Sequence, residues 1–249
     1  LTLLLGLIAG VGLALPRASF SRGLMNPQEI EADTGLNVYS TIPRSEVQEA
    51  LAKEAGEKQP GLHLLAHTAP QDAAIESLRS LRTTLQFSML EAPNNRIIIT
   101  GATPGVGKSF VSANFAAVLA SAGKRVLLID ADLRKGHLNQ YFGIARANGL
   151  RELVMGNINM EEATRRNVLP GMDFIPTGVL PPDPAELVMS GALAQQLEAV
   201  SAGYDVVIID TAPVLVAAGT LTLATHAGTL LLVARAGLHW RGQARLPAD

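Results

Sequence analysis

The sequence contains no cysteine among its 249 residues. This absence excludes disulfide bonds, thiolate metal sites and cysteine nucleophiles, so catalysis must use oxygen and nitrogen groups. Long lysine or arginine runs are also missing, and the formal net charge is -2. The sequence therefore gives no electrostatic reason to expect nucleic acid as the main partner, and none is predicted. A chain of this length can bury one main core and carry a small flanking segment.

Charge is absent from residues 1–15, which are leucine, isoleucine, valine, alanine, glycine and one threonine. The run is shorter than the ~20 residues that a spanning helix needs. The chain begins with leucine and no basic segment precedes the run, which argues against a signal peptide. Arg17 and Arg22 follow, as the cytoplasmic side of a membrane segment requires. We predict the carboxyl-terminal part of a transmembrane helix, with a buried core helix as the alternative.

Turn signals interrupt residues 16–70, where we predict a cytoplasmic juxtamembrane connector. Apolar residues then recur at helical spacing in residues 71–91 and predict an amphipathic helix. Glu76, Arg79 and Arg82 lie three residues apart on that helix. They can pair locally or contact another subunit.

Continuous apolar runs alternate with helical segments in the rest of the chain. Such runs indicate strands of a parallel sheet that is buried on both faces. The predicted strands are Arg96 to Thr100, Arg125 to Asp130, Met172 to Ile175, Val206 to Ile209 and Thr229 to Ala234. Helices are predicted from Ser109 to Ala122 and from Ala185 to Val200. The alternation predicts a doubly wound, mostly parallel α/β domain within residues 71–249, with helices on both faces of the sheet.

A glycine-rich turn joins the first of these strands to a helix, with the sequence Ala102-Thr103-Pro104-Gly105-Val106-Gly107-Lys108-Ser109. This context is that of a P-loop, in which the lysine reaches the terminal phosphates and the serine binds Mg²⁺. Ala102 stands where the general pattern has glycine, which is tolerable if its φ is not positive. The predicted ATP-binding residues are Thr103, Pro104, Gly105, Val106, Gly107, Lys108, Ser109 and Phe110. A plain structural turn is the alternative.

Acidic residues end two of the later predicted strands. Asp130 and Asp132 lie at the strand edge where open α/β sheets bind ligands. They can hold a hydrated Mg²⁺ or accept a proton from a hydroxyl, although an aspartate there is equally often a cap or turn residue. Asp210 follows the run Val206 to Ile209, where an aspartate holds Mg²⁺ or its waters beside the P-loop serine. The motifs together predict Mg-ATP, with Ser109 and Asp210 as metal residues.

The sequence resembles the bacterial tyrosine kinases that act in capsule and exopolysaccharide assembly, over most of its length. In that family a hydrophobic run precedes Asp-x-Asp-x-Arg, which Val126 to Arg134 match. A second run ending in Asp-[Ser/Thr]-x-Pro is matched by Val206 to Pro213. The family motif Glu-x-x-Arg-x-x-Arg, associated with ring-shaped oligomers, is matched by Glu76, Arg79 and Arg82.

The resemblance implies an ATP-dependent protein-tyrosine autokinase that regulates capsular or exopolysaccharide polymerisation and export. It assigns catalysis to Lys108, Asp130, Asp132 and Asp210. In this assignment Asp130 and Asp210 serve the metal with Ser109, and Asp132 is the base for a tyrosine hydroxyl. ATP and Mg²⁺ are the implied cofactors. The implied partners are a ring-like homo-oligomer, a periplasmic copolymerase region of the same protein, the polysaccharide export machinery and, as a further candidate, a tyrosine phosphatase. The implied location is the bacterial inner membrane, with the kinase domain facing the cytoplasm.

Two other classes stay open at this point. ATPases of the MinD/ParA group share the expected fold, but they carry a signature lysine at the second loop position, where this chain has Thr103. A catalytically silent nucleotide-binding regulator of polysaccharide assembly is the third interpretation.

The chain departs from the kinase family after about residue 236, where we expect a truncation or an altered reading frame. The family ends in a tyrosine-rich tail, whereas Tyr39, Tyr141 and Tyr204 all precede the Asp210 motif. We therefore expect this chain to bind Mg-ATP without phosphorylating a tail of its own.

Overall fold

The computed structural model describes residues 26–57, 61–216 and 219–236. Residues 1–15, predicted to be part of a transmembrane helix, and the chain after residue 236 lie outside the described residues. Among the residues that are described, no helix combines the length and the apolar character needed to cross a bilayer. The described residues divide into two units, one with residues 26–38 and 234–236 and the other within residues 39–233.

In the first unit, helix α1 spans Pro27–Thr34. The Asn26 side chain caps it by accepting a hydrogen bond from the backbone N–H of Gln28 at 3.1 Å. Gly35 ends it in the left-handed conformation, at φ 70°. Both termini therefore follow the usual chemistry of helix caps.

The second unit is built on one sheet. Its strands are β1 (Arg96–Gly101), β2 (Val126–Ala131), β3 (Arg165–Leu169), β4 (Met172–Ile175), β5 (Val206–Thr211) and β6 (Thr229–Val233). Within the described residues the strand order is β3-β4-β2-β5-β1-β6. All neighbouring strands are parallel except β3, which is antiparallel to β4. The predicted doubly wound, mostly parallel fold is confirmed.

Helices cover both faces of the sheet. Their bounds are α2 Glu46–Gly56, α3 Leu65–Thr68, α4 Ala73–Ser88, α5 Lys108–Ser121, α6 Leu150–Val154, α7 Met160–Ala163, α8 Pro184–Met189, α9 Gly191–Ser201 and α10 Gly219–Ala224, with a 3-10 helix at Leu138–Phe142. Ile97 and Ile99 of β1 point into a core shared with α4 and α5. Ile98 points into the opposite core, which α6 and α9 close. This alternation explains why the strands are apolar without a break.

Helix α4 confirms the predicted amphipathic helix. Its apolar positions Ile75, Leu78 and Leu85 are at most 1% exposed. Asp72 caps its start by accepting a hydrogen bond from the backbone N–H of Ala74 at 2.8 Å.

The structure differs from the predicted helix at Ala185 to Val200, where it has two helices. Ser190 separates α8 from α9 with an extended backbone, at φ -69° and ψ 133°. Its hydroxyl donates to the carbonyl oxygen of Leu187 at 2.7 Å, and Gly191 follows. A serine that bonds its own backbone and a glycine beside it both weaken a continuous helix.

Strand β3 has no counterpart in the predicted strands, because Arg165, Arg166 and Asn167 interrupt any apolar pattern there. Residues 39–57 and 61–70, which were assigned to the connector, carry α2 and α3 and belong to the same compact unit as the sheet.

Candidate nucleotide and metal site

Two of the predicted site residues meet at the carboxyl edge of the sheet. The register of β2 and β5 sets Asp130 directly beside Asp210. Both residues are 1% exposed, so the two carboxyl groups lie side by side out of water. The sequence places an aspartate at the end of each strand, and only the parallel pairing makes them neighbours.

The predicted P-loop leaves β1 and enters α5 at this same edge. Gly105 and Gly107 have φ values of 77° and 103°. A left-handed backbone of this kind suits glycine and lets successive N–H groups face one concavity. Ala102 is not among the positive-φ residues, so the expected tolerance for alanine there is confirmed. Pro104 and Gly105 are exposed at the tip of the loop.

Two serine hydroxyls from α5 hold Asp210. Ser109 donates to Oδ2 at 2.9 Å, and Ser112 donates to Oδ1 at 2.7 Å. Ser109 was predicted to act with Asp210, and Ser112 was missed. Its position one helical turn after Ser109 was the available signal, since residues three apart share a helix face.

Backbone N–H groups hold the other two aspartates. Asp130 accepts hydrogen bonds from Leu138 at 3.0 Å and Asp132 at 3.2 Å. Asp132 accepts from Arg134 at 3.1 Å and Lys135 at 3.0 Å. The turn after β2 is therefore folded around its own carboxyl groups. Asp132 is 7% exposed and lies nearer to solvent than Asp130.

Asp130 and Asp210 both have raised pKa values. Burial raises the pKa of Asp130 to about 8, and the charge of Asp210 adds to the effect. Burial also raises the pKa of Asp210 to about 6, against the hydrogen bonds from Ser112 and Ser109. Burial lowers the pKa of Lys108, while the charges of Asp210 and Asp132 oppose that change. The negative charges of Asp130 and Asp210 therefore cost free energy in this position unless a bound cation lies beside them.

The donor set fits a magnesium ion bound together with a nucleotide. The described residues contain no group of three His, Cys, Asp or Glu side chains that could form a self-sufficient metal site. Magnesium at phosphate sites needs only one or two carboxylates, because phosphates and water complete its octahedron. Asp210 with Ser109, and Asp130 beside them, supply such an oxygen set.

The remaining predicted residues fall in two places. The side chain of Phe110 packs against the hydrophobic core, so a phosphate contact at this position would come from its backbone. Glu76, Arg79 and Arg82 lie on α4, and Arg79 forms an ion pair with Glu76 three residues earlier. The local pairing that the spacing allowed is therefore present.

His137 also belongs to the surroundings of the site, although it was not among the predicted site residues. Burial lowers its pKa, the charge of Asp132 raises it, and Lys108 and Lys135 lower it further. The sequence gives no signal for this position, because a single histidine after a motif does not by itself indicate a site.

Comparisons with known proteins agree with this geometry. Residues 94–242 match the family AAA_31, described as an AAA domain. A protein of Ralstonia solanacearum named putative tyrosine-protein kinase EpsB is 50% identical over 93% of this chain. The solved BceF tyrosine kinase domain is 43% identical with a TM-score of 0.81, covering 89% of this chain and 90% of that domain. MinD of Pyrococcus horikoshii, complexed with Mg-ADP, is 23% identical with a TM-score of 0.50 over 56% of this chain, a likeness of fold alone.

The two kinase matches differ in the share of the matched protein that this chain covers. This chain spans 31% of the length of EpsB but 90% of the BceF kinase domain. It therefore corresponds to a domain-sized part of its full-length relatives.

Proposed function

This chain belongs to the family of bacterial tyrosine-kinase domains, and on that premise we propose that it transfers the γ-phosphoryl group of Mg-ATP to tyrosine hydroxyls. The observation that carries the proposal is the hydrogen bond from the hydroxyl of Ser109 to Asp210, at 2.9 Å. Ser109 is the P-loop serine and directly follows Lys108. That contact joins the phosphate-binding turn to a buried acid. The similarity to kinase domains also favours this function over that of a MinD/ParA-type ATPase.

Each residue has a distinct task in this proposal. Lys108 and the backbone of the P-loop bind the phosphates, and Ser109, Asp130 and Asp210 supply oxygen ligands for the metal. Magnesium, when bound, neutralises charge on the phosphate oxygens. Asp132 accepts the phenolic proton as the tyrosine oxygen attacks the γ-phosphorus, and ADP leaves.

Transfer to an added peptide tests the function without requiring an acceptor in the chain itself. A tyrosine-rich peptide is incubated with the protein and Mg-ATP, and phosphotyrosine is measured by mass spectrometry. We expect transfer that Asp132→Asn abolishes. Binding of Mg-ATP with no transfer to any tyrosine peptide would favour the silent regulator instead.

We also propose that α4 contributes to a homo-oligomer through Glu76, Arg79 and Arg82. The exposed pair of Glu76 and Arg79 is worth only about 0.3–0.5 kcal/mol as a local contact, too little to control assembly. Replacing both arginines by alanine should lower the mass measured by light scattering if the protein is an oligomer. An unchanged mass would leave these residues with local pairing alone.

The wider setting follows from the sequence resemblance and is part of the proposal. We infer a kinase domain on the cytoplasmic face of the bacterial inner membrane, attached to a transmembrane helix and a periplasmic copolymerase region. In that setting the kinase would regulate polysaccharide polymerisation and export, with a phosphatase reversing its action. Fractionation of the full-length protein, with the kinase domain protected from external protease, tests the topology.

A further inference from the structure

Thr177 lies at the carboxyl edge of the sheet, two residues beyond the end of β4. Strands β2 and β4 are paired so that Ile129 is beside Ile175. Asp130 is the next residue of β2 after Ile129, at the same edge of the sheet. Thr177 is 0% exposed, so its side chain is enclosed next to the acid group.

The backbone around Thr177 is fixed by the start of α6. The N–H of Leu150 donates to the carbonyl oxygen of Pro176 at 2.7 Å, and that of Arg151 donates to the carbonyl oxygen of Thr177 at 3.0 Å. Glu152 accepts a hydrogen bond from the N–H of Val179 at 3.1 Å. These contacts hold the backbone on both sides of Thr177 and so fix the position from which its side chain starts.

The turn after β2 closes over the hydroxyl. A Cβ atom on Gly136 would lie 2.1 Å from Oγ1 of Thr177, which is closer than any real contact. Gly136 therefore allows an approach that another residue would prevent. The approach seals the hydroxyl from solvent beside Asp130.

The sealed hydroxyl is unsatisfied. Among the residues that the structure describes, Oγ1 of Thr177 is one of the few buried side-chain atoms without a hydrogen-bond partner. The carboxyl group of Asp130 lies beside it, and Oδ2 of Asp130 accepts a hydrogen bond from the N–H of Leu138, two residues after Gly136, at 3.0 Å. Other buried threonine hydroxyls in this unit are satisfied, for example Thr211, which donates to the carbonyl oxygen of Ile99 at 3.1 Å.

An orphan hydroxyl of this kind calls for an explanation, because leaving a buried polar group unpaired costs stability. A threonine hydroxyl can donate to a carboxylate or accept from a carboxylic acid. Partners behind a metal ligand fix its orientation, and they matter for metal affinity nearly as much as the ligand does.

We propose that Thr177 is a positioning residue for the metal site, whose hydroxyl donates to Asp130 and orients that carboxylate when Mg²⁺ binds with the nucleotide. The proposal rests on the proposed function, since it takes Asp130 as a metal residue. It predicts opposite effects of losing the hydroxyl: weaker Mg²⁺ binding and a more stable metal-free protein.

The test compares Thr177→Val, which keeps the shape without the hydroxyl, with Thr177→Ser, which keeps the hydroxyl. Magnesium is titrated into protein saturated with a fluorescent ADP analogue, and binding of the analogue in EDTA is measured separately. We expect Thr177→Val to weaken Mg²⁺ affinity about tenfold or more. Thr177→Ser should stay within about threefold of the wild type, and all three proteins should bind the analogue equally in EDTA.

Thermal unfolding supplies the second readout. In EDTA the midpoint for Thr177→Val should rise by about 2–4 °C, because an unpaired hydroxyl is removed. The matched control is Thr164→Val, since the Thr164 hydroxyl is buried but donates to the carbonyl oxygen of Met160 at 2.7 Å. That control should lower the midpoint and leave Mg²⁺ affinity unchanged.

Unchanged Mg²⁺ affinity in Thr177→Val would overturn the inference, as would an equal loss of analogue binding with and without Mg²⁺. Failure of the wild-type protein to bind Mg-ADP would instead overturn the proposed function.

Discussion

The two edges of the sheet treat acid groups in opposite ways. At the carboxyl edge, Asp130 and Asp210 are enclosed beside each other, and burial raises the pKa of each. At the amino edge, the Arg125 side chain and its backbone N–H lower the pKa of Asp205 to about 2.

Asp173 at the amino edge shows how the difference arises. Burial alone would raise its pKa, but the N–H of Asn167, the Tyr204 hydroxyl and the Arg166 guanidinium together bring it below the ordinary value. The contacts of the last two with Oδ2 are both 2.7 Å. Asp173 is thus paired with a guanidinium, whereas Asp130 and Asp210 accept hydrogen bonds only from neutral hydroxyl and N–H groups and keep raised pKa values.

The largest expected difference between the edges comes from lysine. Lys108→Ala removes the cation that faces the terminal phosphates, so we expect Mg-ATP affinity to fall by about 2–4 kcal/mol. Lys124→Ala, an exposed lysine before β2, is the matched control and should change nothing. Isothermal titration of Mg-ATP into both variants measures this. Equal affinities would contradict the assignment of the P-loop.

The next largest effect is a change in the free energy of unfolding, which should have opposite signs at the two edges. Asp210→Asn removes a buried charge, and Ser109 and Ser112 can rotate to serve an amide, so the metal-free protein at pH 8 should gain on the order of 1–2 kcal/mol. Asp173→Asn breaks a satisfied network and should cost about 1–3 kcal/mol. Urea unfolding in EDTA compares them. Destabilisation of similar size in both would break the distinction between the edges.

The pH dependence of stability separates the edges without mutation. Above about pH 4 the folded protein holds protons that the unfolded chain has lost, up to about pH 6 on Asp210 and up to about pH 8 on Asp130. The free energy of unfolding of the metal-free protein should therefore fall as pH rises through this window. Asp173 and Asp205 have lowered pKa values, so their contribution is present above about pH 4 and is lost as pH falls towards 2.

Thermal unfolding in EDTA at one-unit pH intervals tests this dependence. Asp210→Asn should flatten the decline between about pH 4 and pH 6, where wild-type Asp210 holds on the order of one extra proton in the folded state. A decline that is equally steep in Asp210→Asn would place its cause elsewhere.

The smallest expected effect belongs to a tyrosine. Tyr204→Phe removes the hydrogen bond to Asp173 and the one that Tyr204 accepts from Arg166, while Arg166 and Asn167 keep their bonds to Asp173, so stability should fall by about 1 kcal/mol. Urea unfolding measures this loss. Mg-ATP affinity should stay unchanged, because Tyr204 lies at the amino edge, just before β5. A loss of nucleotide affinity would show that the two edges are coupled.

Sequence reasoning located the parts of the site that come from one segment. The P-loop, the end of β2 and the end of β5 each have a local pattern, and parallel pairing then brings Asp130 and Asp210 together. It gave no sign of the role that we propose for Thr177, because that role depends on the approach of Gly136 from another turn. It missed β3 because an edge strand rich in arginine and asparagine carries no apolar run.

The strand order has a consequence for synthesis of the chain. Strand β1 has β5 and β6 as its neighbours, and both are made more than ~100 residues later, as the registers of Ile97 with Ile208 and Thr229 show. Contacts this distant in sequence form slowly, and domains tend to fold as units once enough chain has emerged. The P-loop is thus translated early but gains its acid partner late. A nascent chain on the ribosome would have no assembled nucleotide site until β5 has left the exit tunnel.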